Sequence, residues 1–123
     1  MEKILVVDDS RTARHFIRRS LEGLGFSDTA FIEAGNGKEA LALLKQDPVN
    51  LVIADLNMPL MDGEGLLKWM KSSPKLKKIP VIFITSAKTD AKADYLSSLG
   101  AEAILGKPVA PHTLSQAISK LNN

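Results

Sequence analysis

Short runs that are apolar at every position alternate along this chain with segments whose apolar residues recur every three or four positions. Ile4-Leu5-Val6-Val7, Leu51-Val52-Ile53-Ala54 and Val81-Ile82-Phe83-Ile84 are the strongest runs, each containing β-branched residues. A run with no polar face suits a strand covered on both sides, as in a parallel sheet between helices. Phe31-Ile32-Glu33-Ala34 and Ala103-Ile104-Leu105 are shorter or weaker and belong at or near the sheet's edges.

Between the runs the period becomes helical. Ala13, Phe16, Ile17, Leu21 and Leu24 form one stripe, with Ser10 as its N-cap. Gly37, Ala40, Leu41 and Leu44 form a second, closed by Asp47-Pro48. A third helix begins near Asp62 and carries Leu66, Leu67 and Met70. Thr89 caps a fourth, which ends at Gly100, a residue that tolerates positive φ. Pro111 opens a fifth, with Leu114, Ala117, Ile118 and Leu121 in register. Five strands and five helices in strict alternation predict an α/β fold: a five-stranded parallel sheet with helices on both faces and right-handed crossovers.

Composition narrows the class. The 123 residues fit one domain, spanning 1–123, and the 45% hydrophobic fraction is that of a globular protein. With no cysteine, a disulfide framework, a thiolate zinc site and a cysteine nucleophile are excluded. No run approaches the roughly 18 apolar residues of a membrane span, and the first apolar run is too short for a signal-peptide core. The expectation is a soluble, cytoplasmic protein with no membrane partner. The formal net charge is only +2, and the densest basic stretch, Lys71, Lys75, Lys77 and Lys78, has no interleaved aromatics. It reads as a solvated loop, and no nucleic-acid partner is expected.

The candidate chemistry lies where such a sheet binds ligands, outside the carboxyl ends of its strands. Asp8 and Asp9 follow the first strand, Asp55 the third, Thr85 the fourth and Lys107 the fifth. Any one of these could be a turn former or helix cap; the agreement of four strand ends makes the signal. Two carboxylates about 4 Å apart repel by roughly 4 kcal/mol at an effective dielectric of 20. Three at one rim call for a cation, and a hard divalent ion with oxygen ligands, Mg²⁺, is the expected occupant. Asp55 can then act as a nucleophile towards phosphorus. The Lys107 ammonium and the Thr85 hydroxyl would meet the phosphoryl oxygens.

Taken together, Ile4-Leu5-Val6-Val7-Asp8-Asp9-Ser10, Asp55-Leu56-Asn57-Met58-Pro59 with Met61-Asp62-Gly63, Ile84-Thr85-Ser86-Ala87, and Gly100-Ala101 ahead of Lys107-Pro108 resemble the receiver domain of two-component response regulators. The likeness is greatest to the stand-alone chemotaxis-type regulators and covers nearly the whole chain in order and spacing. It implies a doubly wound, flavodoxin-like sheet in strand order 2-1-3-4-5. It also implies that Asp55 accepts a phosphoryl group from a phosphohistidine on a sensor histidine kinase or phosphotransfer protein. By the same resemblance, Asp9, Asp55 and the backbone carbonyl of Asn57 hold Mg²⁺, Asp8 acts through water, Thr85 and Lys107 bind the phosphoryl oxygens, and the Lys107-Pro108 bond is cis. The downstream target protein would meet the face of the fourth helix, fifth strand and fifth helix. The chain would act as a monomer that can dimerise when phosphorylated, and as a switch rather than an enzyme with external substrates. One position departs from the pattern. Where many members carry an aromatic ring three residues before the lysine, this chain has Ile104. The Thr85 hydroxyl would then move towards the phosphoryl group, and the Lys88–Asp94 region shift, without an aromatic partner. The small Ser86 and Ala87 suggest a phosphorylated lifetime of minutes at most.

Alternative readings remain at this level. The chain can be a receiver cut from a longer regulator. A Mg²⁺-dependent aspartate-nucleophile phosphatase is another reading, but the second acid such enzymes carry two residues after the nucleophile is replaced here by Asn57. Gly35-Asn36-Gly37-Lys38-Glu39-Ala40 fits a dinucleotide fingerprint, and is more simply a strand-to-helix turn. His15 and His112, each without a carboxylate at triad-like spacing, read as surface residues. Trp69 reads as a boundary packing residue, and Leu60-Met61 as either a docking patch or an ordered turn.

Overall fold

The computed structural model describes residues 1–121 and contains ten elements in strict alternation. They are β1 (Lys3–Val7), α1 (Arg11–Glu22), β2 (Ala30–Ala34), α2 (Gly37–Gln46), β3 (Leu51–Ala54), α3 (Gly63–Lys71), β4 (Val81–Thr85), α4 (Asp90–Ser98), β5 (Ala103–Gly106) and α5 (Pro111–Leu121). The strands pair in parallel in the order β2-β1-β3-β4-β5, the predicted doubly wound topology, with the two weaker runs at the edges.

Alternate residues of each central strand serve two separate cores, as the pleat requires. Leu5, Val7, Val52, Ala54, Val81 and Phe83 face α2, α3 and α4, meeting Leu44, Leu66, Leu67, Met70 and Leu96. Ile4, Val6, Leu51, Ile53, Ile82 and Ile84 face α1 and α5, meeting Ile17, Leu21, Leu114 and Ile118. Burial on both faces is why these strands carry no polar alternation.

The helix starts follow their caps. Ser10, Asp62 and Thr89 accept from the backbone N–H groups of Ala13, Gly65 and Lys92. Asn36 caps α2 by accepting from Glu39 N–H at 2.9 Å, while the Glu39 carboxylate accepts from Gly35 N–H and the Asn36 amide. The Gly37 N–H donates to the Met61 carbonyl at 2.9 Å, and a Cβ on Gly37 would fall 2.7 Å from Met61 Cγ. The glycine-rich segment is therefore a capping and packing device against the β3–α3 loop, which accounts for its fingerprint-like spacing. Gly100 takes φ +106° after α4, as its position predicts.

Three expectations need correction. The α1 stripe does not bury all its members: the helix ends at Glu22, Leu24 lies beyond it and is exposed, and Phe16 is 50% exposed. Trp69 is 58% exposed, and so is a mainly solvent-facing residue. Thr85 is the last residue of β4 rather than the residue after it, and is fully buried. The Lys107–Pro108 bond is cis, as the resemblance implied.

Candidate functional site

β1, β3, β4 and β5 run parallel, so their carboxyl ends share one rim. Asp8 leaves β1 with its N–H donating to the Ala34 carbonyl, and Asp55 leaves β3 with its N–H donating to Val7. These bonds continue the ladder past the strands and bring the two acidic turns side by side. Carboxylate oxygens of Asp8, Asp9 and Asp55 all lie within 4.8 Å of one another. Asp8 is buried, Asp55 half-buried and Asp9 exposed, so the cluster opens to solvent on one side.

Lys107 completes the group from the other end of the sequence. Its N–H donates to Thr85 O at 2.9 Å, which places the residue at the end of β5. Its Nζ lies 3.1 Å from Asp8 Oδ2 and 3.2 Å from Asp55 Oδ2. Burial alone would lower the ammonium's pKa; the hydrogen bonds and charges of Asp8 and Asp55 outweigh it and raise the group above its ordinary value. The remaining carboxylate oxygens are steered by backbone: Asp8 Oδ1 accepts from Ser10 N–H at 2.8 Å and Asp55 Oδ1 from Leu56 N–H at 2.7 Å. The Thr85 oxygen accepts from Ala87 N–H at 3.2 Å, leaving its own O–H as a donor. Asn57 is exposed on the loop after Asp55, and Ser86 and Ala87 are exposed beside Thr85.

Sequence reasoning missed two supports. The Arg14 guanidinium donates to the Asp8 carbonyl oxygen and pairs with Glu33 Oε1 at 2.8 Å. A polar residue inside a weak strand thus anchors the arginine that holds the acidic turn. Gly63 packs under Asp55, where a Cβ would lie 2.5 Å from the Asp55 carbonyl oxygen. A lone Glu in a strand was the available signal for the first; nothing local marks the second. Ile104, at the position of the missing aromatic, is buried in the core beneath α4. A cavity of about 640 Å³ lies between α1 and the β5–α5 loop, lined by Ala13, Phe16, Ile17, Pro108 and Val109, with Lys107 at one end. His15 and His112 are exposed, and neither joins the three-carboxylate group.

The donor set suits a hard cation. Three carboxylates converge without a nitrogen or sulfur ligand, and one ammonium offsets only part of their charge.

A doubly wound sheet whose rim gathers acids, a buried threonine and a lysine after the last strand defines a receiver-type domain. The family model for the response regulator receiver domain matches residues 4–119, and this chain belongs to that family. It is 35% identical over 116 residues to a probable chemotaxis protein CheY of Rhizobium etli, covering 94% of this chain and 88% of that one. Among solved structures, CheY4 of Vibrio cholerae superposes with a TM-score of 0.87 at 30% identity, covering 98% of both chains. The receiver domain of a DNA-binding response regulator from Colwellia psychrerythraea gives 0.90 at 32% identity, covering 99% of this chain and 98% of that one. Among the described residues no helix is long and apolar enough to cross a membrane.

Proposed function

We propose that the chain is a phosphorylation switch in which Asp55 accepts a phosphoryl group from a phosphohistidine and the changed surface signals to another protein. The observation that carries this reading is the Lys107 ammonium within 3.2 Å of Asp55 and 3.1 Å of Asp8, at a rim where three carboxylates converge. An isolated acid cluster could be a turn; one spanned by an ammonium from a third strand end is built to receive negative charge.

An Asp55 carboxylate oxygen attacks phosphorus in line with the bond to the donor imidazole nitrogen. That P–N bond breaks as the P–O bond forms, and the imidazole leaves with a proton. The backbone N–H of Leu56 on Oδ1 fixes the carboxylate's rotation before attack. Lys107 meets a phosphoryl oxygen as charge develops, exchanging part of its contact with Asp55 for the new group. Thr85 donates its hydroxyl proton to a second oxygen while its own oxygen stays tied to Ala87 N–H. Asp8, Asp9, Asp55 and the Asn57 carbonyl would hold Mg²⁺, which when bound supplies neutralising charge for the carboxylates and the phosphoryl oxygens. Sensor kinases or phosphotransfer proteins are the donor class, and the α4–β5–α5 face is the surface offered to the target. A cavity of about 270 Å³ between β5 and α5, lined by Leu105, Ala117 and Leu121 with Glu102, Gln116 and Lys120, supports that assignment. The reading places the protein in the cytoplasm, where such kinases act.

Incubation with acetyl phosphate and Mg²⁺ tests the proposal. Stoichiometric labelling that disappears in Asp55→Asn is the expected result. Catalytic turnover of unrelated phosphate esters, or labelling retained in Asp55→Asn, would overturn it.

A further inference from the structure

Leu60 sits where neither its backbone nor its surroundings favour leucine. Its φ is +67°, a conformation that side chains with a Cβ rarely adopt. Met61 N–H donates to the Pro59 carbonyl at 2.7 Å, closing a three-residue turn of the positive-φ kind, the rarer and more strained form. Glycine or asparagine would take that turn more readily. Burial offers no compensation, because Leu60 is 77% exposed, more than any other large hydrophobic residue described. The turn does have internal work: it delivers the Met61 carbonyl to Gly37 N–H and the Met61 side chain to the core. That work uses backbone and Met61, and asks nothing of the Leu60 isobutyl group. The structure separates the two residues that the sequence left paired, one packed inward and one held out to water.

Position supplies the rest. Leu60 is on the loop that leaves Asp55, on the α2–α3 side of the rim. Across the sheet, Phe16 projects from α1 beside the cavity that ends at Lys107. The acid cluster therefore lies between two exposed apolar side chains. A protein donor must press its surface onto this rim to bring phosphorus in line with Asp55, whereas a small phosphodonor needs no such contact. We infer that Leu60 is a contact anchor for the protein phosphodonor, its side chain entering an apolar hollow beside the donor's phosphorylated histidine. An exposed strained residue next to a reacting group is where function outweighs conformational preference. The inference rests on the role proposed for Asp55.

Transfer kinetics separate the two ideas. The probes are acetyl phosphate and the radiolabelled phosphohistidine form of whichever histidine kinase from the same genome labels the wild-type chain fastest. Leu60→Asn and Leu60→Gly should keep acetyl phosphate labelling at the wild-type rate and unfold at the same or higher temperature. Transfer from the kinase should slow by about tenfold, as for loss of one interface anchor. Leu60→Met, which keeps an apolar side chain, should restore most of it. Unchanged kinase transfer in Leu60→Asn overturns the inference, and so does an equal loss with both donors. Faster loss of the label from Leu60→Asn without any partner also overturns it, since the side chain would then be a water shield. Failure of acetyl phosphate to label the wild type refutes the role of Asp55 itself, a result distinct from all of these.

Discussion

Gly63 and Asp55 are in direct contact across the β3–α3 loop. A Cβ added to Gly63 would lie 2.5 Å from the Asp55 carbonyl oxygen and 2.7 Å from the Phe83 ring, and the Gly63 N–H donates to Leu56 at 2.9 Å. The first turn of α3 is thus the floor on which the Asp55 turn rests. Both neighbours, a backbone oxygen and a fully buried ring, resist displacement.

Gly63→Ala sets two effects against each other. Alanine improves helix propensity by about 1 kcal/mol, while overpacking of this kind costs about 1–3 kcal/mol. The steric effect wins, so the urea midpoint should fall. Acetyl phosphate labelling of the folded variant should fall with it, because Asp55 is pushed away from Lys107.

Asp9 is the most exposed of the three clustered acids and has no ammonium partner in the ion pairs of the described residues. In chelator, Asp9→Asn should raise stability by about 0.5–1 kcal/mol, since one like charge is removed. With Mg²⁺ the order should reverse. Saturation a hundredfold above Kd adds about 2.7 kcal/mol to the wild type, and the variant should gain much less. Urea titrations with and without MgCl₂ measure both signs.

Leu96 is the buried residue through which α4 is anchored to the sheet. Leu96→Ala should destabilise the protein by about 2–5 kcal/mol. Amide exchange in α4 should accelerate more than in α3 or α5, because local opening there loses its one buried side chain.

At the outer edge of the α3–α4 face, Glu64 Oε2 lies 3.0 Å from Lys68 Nζ and accepts from Tyr95 OH at 3.3 Å. The Lys68 hydrogen bond holds the Glu64 carboxyl below its ordinary pKa of 4.5 against the opposing effect of burial. A lowered folded pKa means the contribution is present above pH 4.5 and is lost as pH falls through the lowered value. Lys68 is raised from 10.5 by the same hydrogen bond, so its share persists below that pH and is lost well above it. Glu64→Gln should therefore lower stability slightly near neutrality, leave it almost unchanged below the lowered pKa, and so flatten the acid limb of the curve. Denaturation midpoints from pH 2 to 7 read this directly.

The parts of the fold legible beforehand were those fixed by local rules. Strands buried on both faces had to be apolar at every position, and Ser10, Asp62 and Thr89 had to sit where helices begin. The site was legible because parallel strands send the residues at their carboxyl ends to one rim, so Asp8, Asp55, Thr85 and Lys107 could be paired without coordinates. What escaped depends on how far a neighbour reaches. Periodicity placed Phe16 and Leu24 on the apolar face of α1, but the partner helix covers Ile17 and Leu21, and the chain turns at Gly23 before Leu24 can follow. Gly63 carries no local sign that Asp55 lies against it, and Glu33, although a polar residue in a strand marks it out, does not say that its partner is Arg14 of α1. Such contacts belong to the tertiary arrangement alone.

The rim is assembled from residues as far apart in the chain as Asp8 and Lys107, and they meet only after every crossover has been made. A ribosome releasing this polypeptide exposes Asp55 roughly midway through synthesis, long before Lys107 exists. The ammonium-bridged carboxylates are thus a late acquisition, present only in a chain threaded through its last strand.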